Sequence, residues 1–368
     1  MPIPGTRDDP QRSQRVIQLD FVRGLAILAV IQVHVYTVPV HSLLLRGFES
    51  FFHQVGGMGV DLFFVLSGFL IGGLLVQELI ATGDLRARRF LLRRLLKIWP
   101  AYYAYLLFQI IVRQHPLRSF VWQNTLNLQN YAGTSLSHTW SLAVEEHFYF
   151  LLPMLLAAIY RFRRAWTPHL LMALCLAVLL VRMIEVYLFH VSDLQRYTHT
   201  RLDSLLFGVL LGYLLYEHRD TFERLLTSRI VLALIALGGP IFDLRFSFMT
   251  PVMDSFGYTV NYLSMGALLL LFYGYRGRLT LTWPYRAIAW IGTYSYGIYL
   301  WHISVRGPLS SIAHRLPGPI QWGVLIVSQY AAGILLGVLM TKAIELPMLR
   351  VRERLIPRGP AHLPPAEA

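Results

Sequence analysis

The sequence predicts an all-α, polytopic integral membrane protein with about ten transmembrane helices, and three observations support that prediction. Of its 368 residues, 55% are apolar and only 14% are charged, whereas about 25% of residues are charged in an average soluble domain. The mean hydropathy is +0.49. The apolar residues are gathered in runs that approach the ~20 residues a helix needs to cross a bilayer. This composition excludes a disordered chain and fits an ordinary soluble domain poorly.

Ten apolar segments are predicted to cross the bilayer. Tyrosine and tryptophan residues at the membrane interface are expected to extend the shorter segments. The seventh is the least regular because it contains Gly238, Gly239 and Pro240. The segments are residues 17–38, 59–80, 98–112, 147–160, 170–189, 204–216, 230–243, 259–273, 287–305 and 321–343.

The arginine and lysine residues predict how these spans are oriented, because cytoplasmic loops are enriched in positive charge. With the N-terminus inside, 23 of these residues fall in inner segments and 8 in outer ones. Both ends are therefore predicted to be cytoplasmic, and the net charge of +13 is attributed to topology, not to nucleic-acid binding. Residues 1–16 form the N-terminal segment, 17–347 the membrane domain and 348–368 a basic, proline-rich tail. The first span is expected to be an uncleaved signal anchor.

Two ionisable residues, Arg23 and His34, interrupt the first span, and such residues indicate a functional site by default. They are 11 residues apart, about three helical turns, so they share one face and are separated by ~16 Å along the axis. This arrangement suits a ligand that lies along the helix with its charged end inside. The alternative is that Arg23 reaches the inner headgroups and His34 is a hydrogen-bonded core residue.

The second span opens with glycines that permit close helix packing, followed by Asp61 at its outer end. Asp61 is expected to polarise His34 or to pair with an arginine. The alternative is an acidic residue that stabilises the first turn of the helix.

A basic cluster precedes the third span, with six cations between Arg86 and Lys97. Guanidinium groups suit phosphate recognition, so the cluster is a candidate phosphate site. The alternative is a cytoplasmic anchor on anionic lipid. The candidate cofactor-binding residues are Arg89, Arg93, Arg94 and Lys97.

Polar residues are also predicted at the outer ends of the fourth, sixth and ninth spans. Glu145 and Glu146 are adjacent, so they cannot share a helical face and are expected to have separate partners. A metal site of His138, Glu145 and His147 matches no standard ligand spacing, so no metal is predicted. For the later groups, the alternatives are an aromatic belt or an ion pair between spans. The candidate residues are Trp140, Glu145, Glu146, Arg201, Asp203, Tyr299 and His302.

These blocks, in this order, resemble the acyltransferase-3 family of integral membrane acyltransferases. The resemblance covers residues 17–347 and ends at Glu345-Leu-Pro347, which is similar to the family's closing Glu-x-Pro motif. The other matching stretches are Arg23 with His34, Gly59 to Ile71, Arg93 to Pro100, Trp140 to Tyr149, Arg201 to Asp203 with Gly208, and Ser295 to His302.

The resemblance implies a bacterial inner-membrane enzyme that transfers an acyl group, often acetyl from acetyl-CoA, to a hydroxyl of a carbohydrate acceptor. As a hypothesis, the basic cluster and Arg23 hold the phosphates of cytoplasmic acyl-CoA, and His34 is the general base. Asp61 or Glu145 would orient the imidazole, with Glu146 beside them. The outer-side residues Trp140, Arg201, Asp203, Tyr299 and His302 would bind the acceptor. Cys175, the single cysteine, is expected to be buried and inert, which favours direct transfer.

Two departures from the family pattern are relevant. Lys97 replaces a usual arginine, so bidentate phosphate contact is not expected there. A hydrolase-like domain of the kind fused in some members is not expected after residue 347, so acyl hand-off by such a domain is expected to be absent or to need a separate extracytoplasmic chain. The rival functions are a secondary transporter or flippase that uses the intramembrane charges, and a non-catalytic acyl-CoA sensor, which would not need His34.

Overall fold

The computed structural model describes residues 17–37, 42–112, 116–246, 248–313 and 316–357. All regular secondary structure within these ranges is helical, which confirms the predicted fold class. Single 3₁₀ turns lie at Leu117–Ser119, Ser137–Thr139, Arg164–Trp166, Leu194–Arg196, Arg278–Leu281 and His302–Val305, and π-helical turns at Met253–Gly257 and Thr341–Glu345. The α-helices are α1 (Ile17–His34), α2 (Leu43–Gly56), α3 (Met58–Thr82), α4 (Ala87–Val112), α5 (Val121–Thr125), α6 (Gln129–Ala132), α7 (Trp140–Arg163), α8 (Thr167–Tyr187), α9 (Thr198–Glu217), α10 (Arg219–Thr227), α11 (Arg229–Arg245), α12 (Tyr258–Tyr273), α13 (Trp283–Thr293), α14 (Ser295–Trp301), α15 (Arg306–Ala313), α16 (Gly318–Met340) and α17 (Leu346–Leu355).

The chain is a multi-pass membrane protein. Within the described ranges, six helical runs are long and apolar enough to cross a bilayer, or seven if the bent pair α10 and α11 is one span. Each of the ten predicted segments overlaps at least one helix. The sixth falls on α9, whose first turns contain Arg201 and Asp203, and the ninth is divided between the short helices α13 and α14. The total of ten crossings therefore stays a prediction.

Helices α3 and α9 cross closely because small residues face each other. A β-carbon on Gly68 would overlap the carbonyl oxygen of Leu205, and one on Gly208 would overlap the carbonyl oxygen of Val65. The obstructing atoms belong to the backbone, so no side-chain rotation relieves the overlap. This contact brings Asp61 on α3 and Arg201 on α9 into reach of each other.

Replacing Gly68 with alanine is therefore expected to destabilise the protein, because two helices must move apart. Overpacking of this kind costs about 1–3 kcal/mol. The measurement is thermal unfolding in detergent, monitored by size-exclusion chromatography, and a lower midpoint is expected. Gly323→Ala is the matched control, since a β-carbon there meets no atom within 4 Å. An unchanged midpoint for Gly68→Ala would contradict the observed packing.

Helix α1 is central to the site because it packs against α3, α13 and α14. Its apolar residues Ile27, Val30 and Ile31 are buried in these contacts. Arg23 and His34, the two ionisable residues that the sequence singles out, lie on the same face of α1 as Ile27 and Val30. The packing therefore holds both at fixed positions along one rigid helix.

Candidate active site

Two cavities lie side by side in the helical bundle. The first, which we call the histidine cavity, has a volume of about 160 Å³ and is lined by residues that include His34, Asp61, His138, Trp140, Arg201 and Asn261. The second, which we call the basic cavity, has a volume of about 140 Å³ and is lined by residues that include Arg23, Arg94, Lys97, Glu145, Glu146 and Tyr299. Val60 lines both cavities. Helix α1 contributes His34 to the histidine cavity and Arg23 to the basic cavity.

The hydrogen bonds of His34 define the chemistry that its ring can perform. Its Nδ1 lies 2.9 Å from the carbonyl oxygen of Val30. A carbonyl only accepts, so Nδ1 donates and Nε2 of the neutral ring is left with a free lone pair. This is the protonation pattern of a general base. The hydrogen bond at Nδ1 comes from the backbone of α1 and not from Asp61 or Glu145, so orientation of the imidazole by either carboxylate stays a prediction.

Two further histidines surround His34. The ring centroids of His34 and His302 are 5.1 Å apart, and those of His34 and His138 are 6.4 Å apart. His302 is buried, and its Nδ1 donates to the carbonyl oxygens of Tyr299 at 2.8 Å and Ile298 at 3.1 Å. His302 lines neither cavity, so it packs behind the site and its predicted contact with the acceptor is not supported.

Asp61 pairs with Arg201 at 2.5 Å, as one of the two predicted roles requires. The Arg201 guanidinium also lies over the ring of Tyr258, 4.2 Å from its centroid. Both members of the pair are buried and line the histidine cavity. The pair therefore presents a fixed dipole to anything that binds beside His34.

Asp203 does not line either cavity, so its role in acceptor binding stays a prediction. It forms an ion pair with Arg182 at 2.7 Å, and neither side chain is exposed. Since Arg182 lies on α8 and Asp203 on α9, this is an ion pair between spans, one of the alternatives that the sequence left open. On α9 the side chain of Arg201 faces the cavity, and that of Asp203, two residues later, faces α8.

Glu145 and Glu146 belong to the basic cavity, whereas the sequence grouped them with His34 on the outer side. The reason is that α7 begins at Trp140, so Glu145 lies ~7.5 Å further along the helix axis, away from the histidine cavity. The Tyr149 hydroxyl donates to Glu145 at 3.0 Å, and the Trp99 indole donates to Glu146 at 3.1 Å. The two carboxylates thus have separate partners, as expected.

The four candidate phosphate-binding cations divide into two pairs. Arg94 and Lys97 line the basic cavity, but Arg89 and Arg93 do not. Arg93 forms an ion pair with Glu353 of α17 at 2.7 Å and donates to the carbonyl oxygen of Ile356. Arg89, one turn earlier on the same face of α4, donates to the carbonyl oxygen of Pro357. Arg89 and Arg93 therefore contact the end of α17 and the two residues after it, and not the cavity, so their role in cofactor binding stays a prediction.

A comparison with protein families identifies this architecture. A family profile described as an acyltransferase domain, that of acyltransferase-3, matches residues 16–342. The chain belongs to the acyltransferase-3 family. The resemblance found from the sequence blocks is thereby confirmed. No solved structure matches the chain.

Several curated relatives are similar to this family member. Peptidoglycan O-acetyltransferase OatA of Listeria monocytogenes is 27% identical, over 90% of this chain and 56% of its own. YrhL of Bacillus subtilis, a candidate peptidoglycan O-acetyltransferase by name, is 29% identical over 86% of this chain and 52% of its own. A candidate O-acetyltransferase of Staphylococcus aureus strain COL is 25% identical over 78% of this chain and 50% of its own. The chain spans about half the length of these relatives.

Two polar residues at the histidine cavity of this acyltransferase-3 protein escaped the sequence analysis. Asn261 lines the cavity, and its amide donates to the buried carboxylate of Asp243 at 3.2 Å. The available signal was weak: an amide within the apolar segment 259–273 and an acid at the end of segment 230–243. Among the described residues, no group of three or more His, Cys, Asp and Glu side chains is arranged to hold a metal ion.

Proposed function

We propose that this chain is a membrane O-acyltransferase of the bacterial inner membrane, which moves an acyl group, namely acetyl, from cytoplasmic acyl-CoA to a hydroxyl of a carbohydrate. The observation that carries the proposal is the pair of cavities that share Val60, one cationic and one containing the base His34. Family membership supports acyl transfer, and the names of the relatives support acetyl as the group and a glycan as the acceptor.

The basic cavity is the proposed donor site. Arg94 supplies a planar fork for phosphate and Lys97 a point charge, with Arg23 on the facing helix α1. Arg94 also lies over the ring of Tyr149, 5.7 Å from its centroid, which limits its freedom. The pantetheine arm would then follow α1 toward Val60 and place the thioester next to the histidine cavity.

In the proposed reaction, Nε2 of His34 takes the proton of the acceptor hydroxyl as that oxygen attacks the thioester carbonyl carbon. The carbon–sulfur bond then breaks, and the proton passes from Nε2 to the departing sulfur. The products are the O-acyl ester and free CoA, and His34 returns to its neutral form with no net uptake or release of a proton. The Val30 carbonyl stabilises the imidazolium formed between the two steps.

The test uses purified protein in detergent with radiolabelled acetyl-CoA and a panel of glycan acceptors. Acceptor-dependent cleavage of the thioester, with the label recovered on the glycan, is the expected result. Binding of acetyl-CoA without transfer to any acceptor would favour the acyl-CoA sensor. Absence of acetyl-CoA binding would overturn the proposal and favour a transporter.

Arg94→Ala is expected to raise the KM for acetyl-CoA by about 10- to 100-fold, because a charge-assisted hydrogen bond to phosphate is lost. The matched control is Arg89→Ala on the same helix, whose side chain contacts the Pro357 carbonyl and not the cavity. The measurement is steady-state kinetics at varied acetyl-CoA. Equal effects of the two substitutions would contradict the assignment of the donor site to the basic cavity.

A further inference from the structure

A buried polar pair lies in the wall of the histidine cavity. Asn261 on α12 is 2% exposed and Asp243 on α11 is 1% exposed. The Asn261 Nδ2 donates to Asp243 Oδ2 at 3.2 Å. Asn261 lines the cavity directly, and Asp243 lies behind it. None of the catalytic steps above uses either residue.

The pair presents acceptor atoms without donors. A carboxylate accepts hydrogen bonds, so Asp243 holds the amide of Asn261 with its nitrogen toward the carboxylate and its oxygen pointing away from it. Asn261 Oδ1 and Asp243 Oδ1 are buried and have no hydrogen-bond partner among the described residues. Buried polar atoms are usually paired. Asn261 is a lining residue of the histidine cavity, so its oxygen is a candidate acceptor for a donor group on a molecule bound there.

The surroundings of Asn261 narrow the class of that ligand. Trp140, Phe248 and Tyr258 line the same cavity and give it a partly aromatic wall. Aromatic faces pack against apolar surface, while a few placed polar groups fix the orientation of the bound molecule. A sugar ring meets both requirements, because it has apolar C–H faces and an edge of hydroxyl or acetamido N–H donors.

We propose that Asn261, held in orientation by Asp243, forms an acceptor subsite that accepts a hydrogen bond from a hydroxyl or N–H group of the sugar to be acylated. The inference rests on the proposed function, since it names the class of molecule that enters beside His34. Asn261 would set specificity by requiring a donor on the ring. Because acetyl-CoA is proposed to bind in the basic cavity, the loss of Asn261 should affect the binding of the acceptor and not that of acetyl-CoA.

The test is equilibrium binding of two probes to the full chain in nanodiscs, without acetyl-CoA. The probes are a β-1,4-linked N-acetylglucosamine tetrasaccharide and its permethylated form, which keeps the rings but lacks hydroxyl and N–H donors. The wild type is expected to bind the unmodified probe at least tenfold more tightly. Asn261→Ala is expected to lose about tenfold in affinity for that probe and most of the discrimination.

Asn130→Ala is the matched control. Asn130 is also buried, donates through Nδ2 to Thr198 at 2.8 Å and has an unpaired Oδ1, but it lines neither cavity. Its variant is expected to bind both probes as the wild type does. If Asn261→Ala fails to fold, Asp243→Asn serves instead, because it preserves size while removing the charge that orients the amide.

The subsite is overturned if the wild type binds neither probe, if it does not distinguish them, or if Asn261→Ala binds like Asn130→Ala. Failure of the proposed function has a different signature. In that case the radiolabelled transfer assay gives no product, while Asn261-dependent binding of the sugar persists.

Discussion

His34→Ala is expected to lower kcat for acetyl transfer by about 10²- to 10⁴-fold, the range that a positioned general base contributes. The substitution removes an imidazole that lines the histidine cavity and whose Nδ1 donates to the Val30 carbonyl oxygen, which leaves Nε2 as the basic nitrogen. Acetyl-CoA binding should be unchanged, because Arg94 and Lys97 lie in the other cavity. Steady-state kinetics and a separate acetyl-CoA binding measurement together distinguish loss of the base from loss of the donor site.

The control for that experiment is His169→Ala, since His169 is exposed on α8 and lines neither cavity. It should retain wild-type kinetics. His302→Ala offers a second comparison, because that ring packs 5.1 Å from His34 without reaching the cavity. A folded His34→Ala protein with full activity would remove His34 from the mechanism.

Arg182→Met is expected to destabilise the protein by about 3–5 kcal/mol, because it leaves the buried carboxylate of Asp203 without its counter-charge. Arg182 is fully buried and also donates to the Thr200 carbonyl at 2.6 Å and the Ser255 carbonyl at 3.0 Å. One side chain thus joins α8, the start of α9 and the π-helical turn before α12. The measurement is denaturant unfolding in detergent micelles, with near-ultraviolet circular dichroism as the probe.

Two comparisons make this prediction specific. Arg164→Met also breaks an ion pair, with Glu217 at 2.5 Å, but its side chain is 51% exposed, so a loss of at most about 1 kcal/mol is expected. The double variant Arg182→Met with Asp203→Leu removes both buried charges and should recover much of the lost stability. If Arg182→Met were no less stable than Arg164→Met, the buried pair would not hold these helices together.

The fold was predictable because its determinants are local. Runs of apolar residues indicate helices. The spacing of Arg23 and His34 places both on one face of α1, and this does not depend on which helices pack against α1. The start of a helix is less secure. Trp140 rather than His147 begins α7, and this difference moves Glu145 and Glu146 from one cavity to the other.

The parts of the site that sequence reasoning missed depend on tertiary contacts. Arg93 and Arg94 are neighbours in the same basic cluster, yet α17 covers one and a cavity opens beside the other. Only the fold brings Asn261 to Asp243, which is 18 residues away on a different helix. Composition and periodicity report which residues share a helix face, but not which helix comes to lie against that face.

The apolar side chain of Val60 at the boundary of the two cavities also bears on how well the membrane is sealed. A continuous water-filled passage through a membrane protein would let protons and metal ions run down their gradients, and the cell would lose stored energy. Val60, which lines both cavities, is branched and apolar, and the aromatic residues Trp140 and Tyr299 each line one of the two cavities. If the two reactants enter from opposite compartments, as proposed, an apolar boundary of this kind lets them meet while the bilayer remains an electrical insulator.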